Sequence, residues 1–568
     1  MVNIKHRIIV SAAVFLLFIG NLNGQPAVKN FDRASDIDIQ HYTLNVRFDR
    51  PKKTVIGETT VRLKPLKDIA AVELDAIGIT FTAVSLVPGD TPLKFSSGSD
   101  KIKVTLDRTY RAGDELAIRF VYSAVPKKGV YFVEPKIVDG KTIHGAQIWT
   151  QGEADEARHW FPSFDFPSDK ATSEQFITAE KGESVIGNGE TLETRENADG
   201  TVTHHFRMPV PHSTYLTSFI VGNYKKVEDK YKQIPLGFYV YPEDESIVPL
   251  AYGNTKEMFS IFEGLTGIPY PYNKYDQTVV GSFQFGGMEN ITATTMADTE
   301  IAAARIDFIR PLVEDLVSHE LAHSWFGNLV TCRNWAELWL NEGFATFMEA
   351  AYREKKYGRE NYLQKVSLDA DQFLAQEAAS PKPIGLYNQT ANNVAGLFDR
   401  PTVTYNKGGA VIHTLREQVG DEAFWKGVNA YLNAHKFGNV VTGDLKKAME
   451  DASGQDLAWF FDQWVYGGGA PRLNIMHSYR GNTLSLTVDQ VQKAGGIVPA
   501  AFRLPLEVEF TVGSERVRKA FEVTRRNQTF TFKVEGKPSN FVIDPDMKVP
   551  VKIVKLASAE TKKKKAKK

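Results

Sequence analysis

Cysteine is nearly absent from this chain of 568 residues, and its absence excludes one class of fold. The single cysteine, Cys332, cannot form an internal disulfide, so a disulfide-stabilised scaffold is excluded. Net charge is absent too, because 68 lysines and arginines balance 68 aspartates and glutamates. Bulk charge therefore gives no attraction to nucleic acid, and no nucleic-acid partner is expected. Solenoid-type repeats are also missing.

The chain starts with an apolar run that is too short for a typical membrane span. Ile8–Ile19 is shorter than the roughly 20 residues that a spanning helix needs. It follows Lys5 and Arg7 and is followed by small and polar residues up to Gly24. This order predicts a signal peptide over residues 1–24 and export to a bacterial periplasm or the exterior. The alternative is an uncleaved N-terminal membrane anchor.

The opposite end of the chain is rich in lysine. Every residue of Lys562–Lys568 except Ala566 is lysine. This composition predicts a disordered, solvated tail over residues 557–568. Its positive charge would allow weak association with an anionic cell surface. The alternative is a tail without a binding role.

Hydropathy patterns divide the remaining chain into three domains. Residues 25–225 alternate like half-buried strands, as in Thr54–Leu63, and predict an all-β domain. Helical patterns, Leu312–Phe326 among them, dominate residues 226–466 and predict the catalytic domain. Short strands in residues 470–556 have the spacing of a β-sandwich. The predicted fold class is therefore multidomain α+β.

One motif, His319-Glu320-Leu321-Ala322-His323, carries most of the chemical information. On a helix, His319 and His323 lie on one face, so both imidazoles can reach one metal ion. Glu320 cannot be a third ligand, but it can reach a water bound to that metal. Glu342, nineteen positions after His323, supplies a carboxylate. Two histidines, one carboxylate and a water form the ligand set of a catalytic zinc site, with one Zn²⁺ per chain.

The helix pattern around this motif predicts an inward-facing stripe. Leu312, Leu316, His319 and His323 fall at helical spacing on one side. Burying two imidazoles and a carboxylate together is costly unless they are hydrogen-bonded or metal-bound. The alternative to a metal site is a pair of hydrogen-bonded core histidines. Cys332 is a conceivable soft ligand, and a small buried hydrophobe is its alternative role.

Three further strings accompany the metal motif. They are Gln151-Gly152-Glu153, Gly286-Gly287-Met288-Glu289-Asn290 and Tyr405-Asn406-Lys407-Gly408-Gly409. Each is weak alone, because a glycine pair usually marks a turn and a single tyrosine usually packs. Together and in this order, they resemble the gluzincin aminopeptidase family, which includes the membrane alanyl aminopeptidases and the bifunctional leukotriene hydrolase. The resemblance extends from about Asp36 to Val549.

The resemblance implies a fold in more detail than the hydropathy pattern does. It implies a saddle-like N-terminal β domain, a thermolysin-like and mainly α catalytic domain, and a C-terminal β-sandwich. Most long members of the family add a helical domain that caps the active site. Because this chain stops soon after Lys555, the expectation is that the capping domain is absent. The cleft would then be more open, or closed by a partner.

The resemblance also implies roles for individual residues. His319, His323 and Glu342 correspond to the zinc ligands, Glu320 to the general base and Tyr405 to the tyrosine that faces the scissile carbonyl. The residues that correspond to substrate-binding positions are Gln151, Glu153, Gly286, Gly287, Met288 and Glu289. The two glycines would let the backbone approach an extended substrate. The implied activity is zinc-dependent removal of N-terminal residues from peptides with free N-termini.

Three other functions remain open. A thermolysin-like endopeptidase would share the zinc residues, but it leaves Glu153 and Glu289 without a role. A leukotriene-type epoxide hydrolase shares most of the motifs, but the predicted export and the missing helical domain argue against it. A non-catalytic scaffold or receptor would be expected to have lost a ligand, the base or the tyrosine, and none is lost. The sequence indicates no oligomeric state.

Overall fold

A computed structural model describes residue 29 and residues 31–380, 382–391 and 394–559. The predicted signal peptide, residues 1–24, and the lysine-rich segment Lys562–Lys568 lie outside the described residues. Within the described ranges, none of the helices combines the length and the apolar character needed to cross a membrane.

The N-terminal region is a β structure because its apolar residues alternate with polar ones. In β8, for example, Leu116, Ile118, Phe120 and Tyr122 are buried, while the residues between them are partly exposed. The strands are β1 Ile37–Asp49, β2 Thr54–Pro65, β3 Ile69–Asp75, β4 Ile79–Val87, β5 Thr91–Pro92, β6 Lys94–Ser97, β7 Lys101–Tyr110, β8 Leu116–Ala124, β9 Val130–Val133, β10 Lys136–Val138, β11 Lys141–His144, β12 Gln147–Thr150, β13 Ala171–Ala179, β14 Ser184–Gly187, β15 Glu190–Glu196, β16 Val202–His212 and β17 Phe219–Gly222.

These strands form a large sheet and several smaller ones. The large sheet has the order β15-β16-β13-β1-β2-β8-β4-β5, and β3-β7-β6 forms a second sheet. A third sheet has four strands, β14-β17-β12-β9, and its residues Trp149, Ile186 and Ile220 belong to the core that the middle region of the chain also builds. Its strand β12 ends at Thr150. The segment that follows carries Gln151 and Glu153 out of the sheet and into a cleft that His319, Glu320 and His323 also line, called the central cleft below.

The middle region combines a sheet with helices. Its strands are β18 Lys225–Tyr231, β19 Ile234–Val240, β20 Tyr275–Val280, β21 Gly287–Met288, β22 Ala293–Ala297, β23 Thr331–Cys332 and β24 Asn439–Val440. Its helices are α1 Val248–Ala251, α2 Thr255–Thr266, α3 Asp298–Ala302, α4 Arg310–Ala322, α5 Trp339–Tyr357, α6 Arg359–Ala379, α7 Val394–Leu397, α8 Gly408–Val419, α9 Asp421–His435, α10 Thr442–Ser453 and α11 Ala458–Phe461. The five-stranded sheet β18-β19-β20-β22-β21 places the short strand β21 at its edge.

The helix of the metal motif is shorter than the sequence predicts. The predicted helix Leu312–Phe326 is observed as α4, which ends at Ala322. Beyond His323 the backbone turns, and the N–H of Asn328 donates to the carbonyl of His323 at 2.9 Å. Gly327 has a φ of +126°, a conformation that glycine adopts without strain and other residues rarely adopt. The helix therefore ends four residues earlier than predicted.

The stripe on α4 also faces a different environment from the predicted one. Leu312 is 53% exposed, and both Leu312 and Leu316 line the central cleft. The prediction of an inward-facing stripe is wrong for Leu312, because this side of the helix borders a cavity and not the packed core. The core side of α4 is instead formed by Val313, Val317 and Leu321.

The C-terminal region forms two sheets. Its strands are β25 Arg472–Arg480, β26 Thr483–Gln490, β27 Leu504–Val512, β28 Glu515–Val523, β29 Asn527–Lys533, β30 Ser539–Ile543 and β31 Lys552–Ser558, in the orders β29-β26-β25-β31 and β28-β27-β30. Ala557 and Ser558 pair with Met476 and His477. The tail boundary predicted at residue 557 is thus two residues too early, because these residues complete an edge strand.

Two helices approach each other closely beneath the cleft. Gly343 on α5 faces Gly408 at the start of α8, and a Cβ on Gly408 would lie 2.8 Å from the Cα of Gly343. Real Cβ atoms do not tolerate so short a distance to backbone. This contact brings Glu342, the neighbour of Gly343, close to the turn that carries Tyr405, three residues before Gly408.

This contact predicts the effect of adding one methyl group. Gly408→Ala is expected to lower the free energy of unfolding by about 1–3 kcal/mol, the usual cost of overpacking. Thermal unfolding measures this as a lower Tm. The matched control is Gly264→Ala in α2, where a Cβ would meet nothing within 4 Å. That variant should be more stable by about 0.5–1 kcal/mol because alanine favours the helix. Equal Tm values for the two variants would contradict the packing argument.

Candidate active site

The residues that the sequence analysis assigned to the site meet in one cleft of about 630 Å³. They come from five places in the chain: the segment after β12, the edge strand β21 with its flanking residues, helix α4 with His323 directly after it, helix α5, and the turn before α8. The lining includes all eleven of them, which are Gln151, Glu153, Gly286, Gly287, Met288, Glu289, His319, Glu320, His323, Glu342 and Tyr405. Sequence segments 254 positions apart, from Gln151 to Tyr405, therefore build one site.

The two histidines and Glu342 converge on one point. Nε2 of His319 lies 3.2 Å and Nε2 of His323 lies 3.4 Å from the same oxygen, Oε2 of Glu342. The ligand atoms of all three residues lie within 4.8 Å of one another. All three side chains are buried. Two imidazoles and one carboxylate in this arrangement fit a zinc ion with a further position open.

Each imidazole is held in place through its other nitrogen. Nδ1 of His319 lies 2.8 Å from Oε1 of Glu349, and Nδ1 of His323 lies 2.9 Å from the carbonyl oxygen of Phe326. Both acceptors favour the tautomer that carries the proton on Nδ1, so that each Nε2 presents a lone pair to a metal. Glu349 belongs to none of the motifs that predicted the other site residues. The signal was available, because Glu349 follows Glu342 by two helical turns on α5 and so shares its face.

Glu320 points into the cleft beside these ligands. Its Oε2 is buried and has no hydrogen-bond partner among the described residues. Burial raises the pKa of Glu320 to about 8, against the opposing effect of the two imidazoles. A carboxylate whose pKa lies near neutrality is suited to accept and release a proton. A bound metal cation would lower this pKa.

The glycine pair before Met288 makes room for protein groups as well as for any ligand. A Cβ on Gly287 would overlap the carboxylate of Glu320, and a Cβ on Gly286 would lie 3.0 Å from Cδ1 of Leu316. Gly287 and Met288 form the edge strand β21, which pairs only with β22 among the described strands. The free side of an edge strand can pair with an extended peptide.

Two further carboxylates, Glu153 and Glu289, lie next to Glu342. The ligand atoms of these three glutamates are within 4.8 Å of one another. Oε1 of Glu153 and Oε1 of Glu289 are buried without a hydrogen-bond partner in the described part of the chain. Burial raises the pKa of both groups, and the charge of Glu289 raises that of Glu153 further. An arriving cation would therefore be bound strongly here.

The side-chain amide of the neighbouring Gln151 forms a hydrogen bond through its nitrogen but not through its oxygen. Its Nε2 donates to the sulfur of Met288 at 3.3 Å, while its Oε1 has no partner among the described residues. Gln151 and Glu153 flank Gly152, where a Cβ would overlap the backbone of Tyr215. The close backbone contact at Gly152 holds both polar side chains at the edge of the cleft.

Tyr405 lies in a π-helical turn, Val403–Lys407, directly before α8. Its ring is stacked 6.0 Å from the ring of His319, with an angle of 19° between the planes. Burial raises the pKa of the Tyr405 hydroxyl well above its ordinary value, so the group stays protonated and can donate a hydrogen bond. The donor therefore lies beside the metal-binding residues.

Cys332, in contrast, takes no part in this site. It is buried, and its backbone N–H donates to Oδ1 of Asn341 at 3.0 Å. No potential metal-binding group of the described residues includes it. Burial raises the pKa of its thiol, which keeps it neutral. Of the two roles proposed for Cys332, the small buried hydrophobe agrees with the structure.

Two family models match this chain. Residues 39–216 match the peptidase M1 N-terminal domain, and residues 250–464 match the peptidase family M1 domain. The matched ranges contain every residue of the cleft named above. Together they cover more than half of the chain.

Individual proteins are similar over much of the chain. Aminopeptidase N of Streptomyces lividans is 35% identical over 355 residues, which are 60% of this chain and 39% of that protein. The alanine/arginine aminopeptidase of Saccharomyces cerevisiae is 29% identical over 508 residues, 84% of this chain and 57% of its own length. Aminopeptidase 2 of Candida albicans is 29% identical over 451 residues, 77% and 48% of the two chains. The chain thus spans about half the length of these relatives.

The donor geometry predicts that one Zn²⁺ binds per chain, with Zn–N distances of about 2.0–2.1 Å. Elemental analysis should find one zinc in the purified protein and none in His323→Ala. The control is His205→Ala, which removes a histidine that pairs with Glu174 outside the cleft. Zinc at 100 times its Kd should stabilise the native protein by about 2.7 kcal/mol, so a chelator should lower the Tm and added zinc should restore it. Full zinc content in His323→Ala would contradict the site.

Proposed function

Because this chain belongs to peptidase family M1, we propose that it is a zinc-dependent aminopeptidase that hydrolyses the N-terminal peptide bond of peptides. The observation that carries this proposal is the pair of buried, unpartnered carboxylates, Glu153 and Glu289, next to the three candidate metal ligands. The three relatives described above are named aminopeptidases, which supports the same activity.

In this proposal, His319, His323 and Glu342 hold the zinc ion. When bound, zinc would polarise the scissile carbonyl and lower the pKa of a water molecule towards about 7. Glu349 and the carbonyl of Phe326 keep the two imidazoles in the required orientation through Nδ1.

Glu320 acts as the general base. Its free Oε2 takes a proton from the attacking water and passes it to the nitrogen of the leaving amine. The Tyr405 hydroxyl, kept protonated by its burial, donates to the oxyanion that forms on the carbonyl. These two residues supply the proton transfer and the oxyanion donor that hydrolysis of an amide requires.

Glu153 and Glu289 bind the protonated α-amine of the substrate. One such pair at about 4 Å is worth at most about 4 kcal/mol at an effective dielectric constant of roughly 20. A blocked or internal peptide would forfeit this energy and would leave both carboxylates buried and unpaired. An endopeptidase has no use for such a pair, which is why the aminopeptidase is preferred.

Three further inferences about the whole protein belong to this proposal. We infer export, because Lys5, Arg7 and the apolar run Ile8–Ile19 have the order of a signal peptide. We infer that the two C-terminal sheets form a β-sandwich, since the apolar sides of β26 and β27 are buried in a shared core. We also infer that the lysine-rich segment Lys562–Lys568 allows weak binding to an anionic cell surface.

The roles of Glu320 and Tyr405 predict a loss of turnover without a loss of metal. Glu320→Gln should retain zinc and fold but lose most of kcat, because the water loses its base. Tyr405→Phe should lower kcat by about 10²–10³, the usual effect of removing one oxyanion donor. Both effects are measured with an aminoacyl-anilide at saturating zinc. A variant that keeps the wild-type kcat would remove its residue from the mechanism.

The role of Glu289 predicts a loss that depends on the substrate. Glu289→Ala should lower kcat/KM strongly for a peptide with a free amine and far less for the same peptide after N-acetylation. Part of the loss should appear in kcat, because the amine contact also places the scissile bond. Glu153→Ala should act in the same direction, and the double variant should be non-additive because both acids bind one ammonium. An equal loss for both substrates would favour the endopeptidase instead.

A further inference from the structure

A buried lysine lies at the wall of the cleft, beside the metal-binding residues. Lys365 on α6 is only 5% exposed. Its Nζ lies 2.9 Å from Oε2 of Glu349 and 2.7 Å from Oδ2 of Asp369, and both of these carboxylates are also buried. Burial alone would lower the pKa of Lys365, but the two carboxylates raise it above its ordinary value, so the ammonium stays charged.

The two carboxylates connect Lys365 to two different parts of the site. The other oxygen of Glu349, Oε1, lies 2.8 Å from Nδ1 of His319. On the second branch, Oδ1 of Asp369 accepts a hydrogen bond of 2.9 Å from Nδ2 of Asn406. Asn406 is the residue directly after Tyr405. One ammonium is thus linked to a candidate metal ligand and to the segment that carries the oxyanion donor.

These contacts form a closed circuit. The aromatic ring of Tyr405 stacks against the imidazole ring of His319, so the two branches that start at Lys365 meet again in the cleft. The nearby Asp315 does not compete for Lys365 by contact, because it forms its own ion pair with Arg353, with a distance of 2.6 Å from Nε to Oδ1. Without Lys365, Glu349 and Asp369 would be two buried carboxylates with no cation between them. Both side chains would then be expected to change position or to take up a proton.

We propose that Lys365 is a positioning residue. Through Glu349 and Asp369 it keeps His319 and Tyr405 in a fixed position relative to each other. This inference depends on the proposed zinc aminopeptidase function, since His319 and Tyr405 act together only in that reaction. The ammonium of Lys365 is directed to Glu349 and Asp369, so Lys365 acts on the site through these two carboxylates. It fixes the orientation of the imidazole on one branch and the position of the tyrosine turn on the other.

The central experiment replaces the ammonium by an uncharged side chain of similar length. Lys365→Met should weaken zinc binding and lower kcat, each by about 10–100-fold, as is typical for the partners of metal ligands. Zinc affinity is measured by competition with a chromophoric chelator, and kcat and KM are measured at saturating zinc. KM should change little, because Glu153 and Glu289 are untouched.

The matched control is another buried lysine that forms an ion pair away from the cleft. Nζ of Lys274 lies 2.7 Å from Oδ2 of Asp276 and 2.7 Å from the carbonyl oxygen of Gly187. Lys274→Met also leaves a buried carboxylate without its cation, so it should lower the Tm. It should leave zinc affinity and kcat unchanged. If Lys274→Met lost as much zinc affinity and kcat as Lys365→Met, the effect at Lys365 would be explained by general destabilisation. That result would overturn the proposal.

Two conservative variants separate the branches and remain informative if Lys365→Met does not fold. Glu349→Gln should mainly weaken zinc binding. Asp369→Asn should mainly lower kcat at saturating zinc, because it disturbs the tyrosine turn and leaves the contact between Glu349 and His319 in place. Wild-type zinc affinity in Glu349→Gln together with wild-type kcat in Asp369→Asn would overturn the proposal.

The readouts also distinguish this proposal from the proposed function. If the wild-type protein binds zinc but does not cleave aminoacyl-anilides, the aminopeptidase function fails, while the zinc affinities of Lys365→Met and Glu349→Gln still test the metal branch. If the wild-type protein is active and Lys365→Met retains both its zinc affinity and its kcat, the positioning role fails and the function stands.

Discussion

The burial of charge around one cleft is the constraint on which the rest of this structure depends. Four carboxylates, of Glu153, Glu289, Glu320 and Glu342, and two imidazoles are buried there together. Removing a charge from water costs several kcal/mol per ion unless partners compensate it. The protein compensates Glu342 with the two histidines. It leaves one oxygen each on Glu153, Glu289 and Glu320 without a partner in the described structure. In the proposed function, a metal ion, the ammonium group of the substrate and the reacting water would be the partners of these oxygens.

The groups of such a cluster must be held in place by close packing, and glycine residues make part of this packing possible. Three glycines of the sequence motifs lie where a Cβ would collide with protein atoms: Gly152 with the backbone of Tyr215, Gly287 with the carboxylate of Glu320, and Gly408 with the backbone of Gly343. The motif glycines thus bring the elements of the site close together. The reason inferred from the sequence, that Gly286 and Gly287 admit the substrate, covers only part of their role, because Gly287 is also needed to accommodate the general base.

The parts of the site that the sequence could predict are those set by local spacing. Four positions along a helix are enough to bring His319 and His323 to one face, and Glu342 follows from the order of the motifs. Strands with regular alternation, such as β2, could also be predicted. Contacts between distant helices could not: Lys365 and Asp369 lie on a helix whose polar pattern looks like an ordinary solvated face, and packing of this helix against α5, α8 and the turn before α8 accompanies their burial. The end of α4 depends on the backbone conformation of Gly327, and the edge strand β31 carries too many exposed residues for a clear pattern.

In the proposed function, the compactness of the cluster also determines which bond would be cleaved. Glu342 belongs both to the metal-binding group and to the acidic group formed with Glu153 and Glu289, and the ligand atoms within each group lie within 4.8 Å of one another. Standard backbone dimensions place an α-amino nitrogen about 2.5 Å from the carbonyl carbon of its own residue, whereas each further residue adds roughly 3.3–3.6 Å in an extended chain. An ammonium held by Glu153 and Glu289 therefore brings the first carbonyl to the metal-binding residues and carries later carbonyls past them. In the proposed function, the same two carboxylates that favour a free N-terminus would thus limit hydrolysis to the first peptide bond.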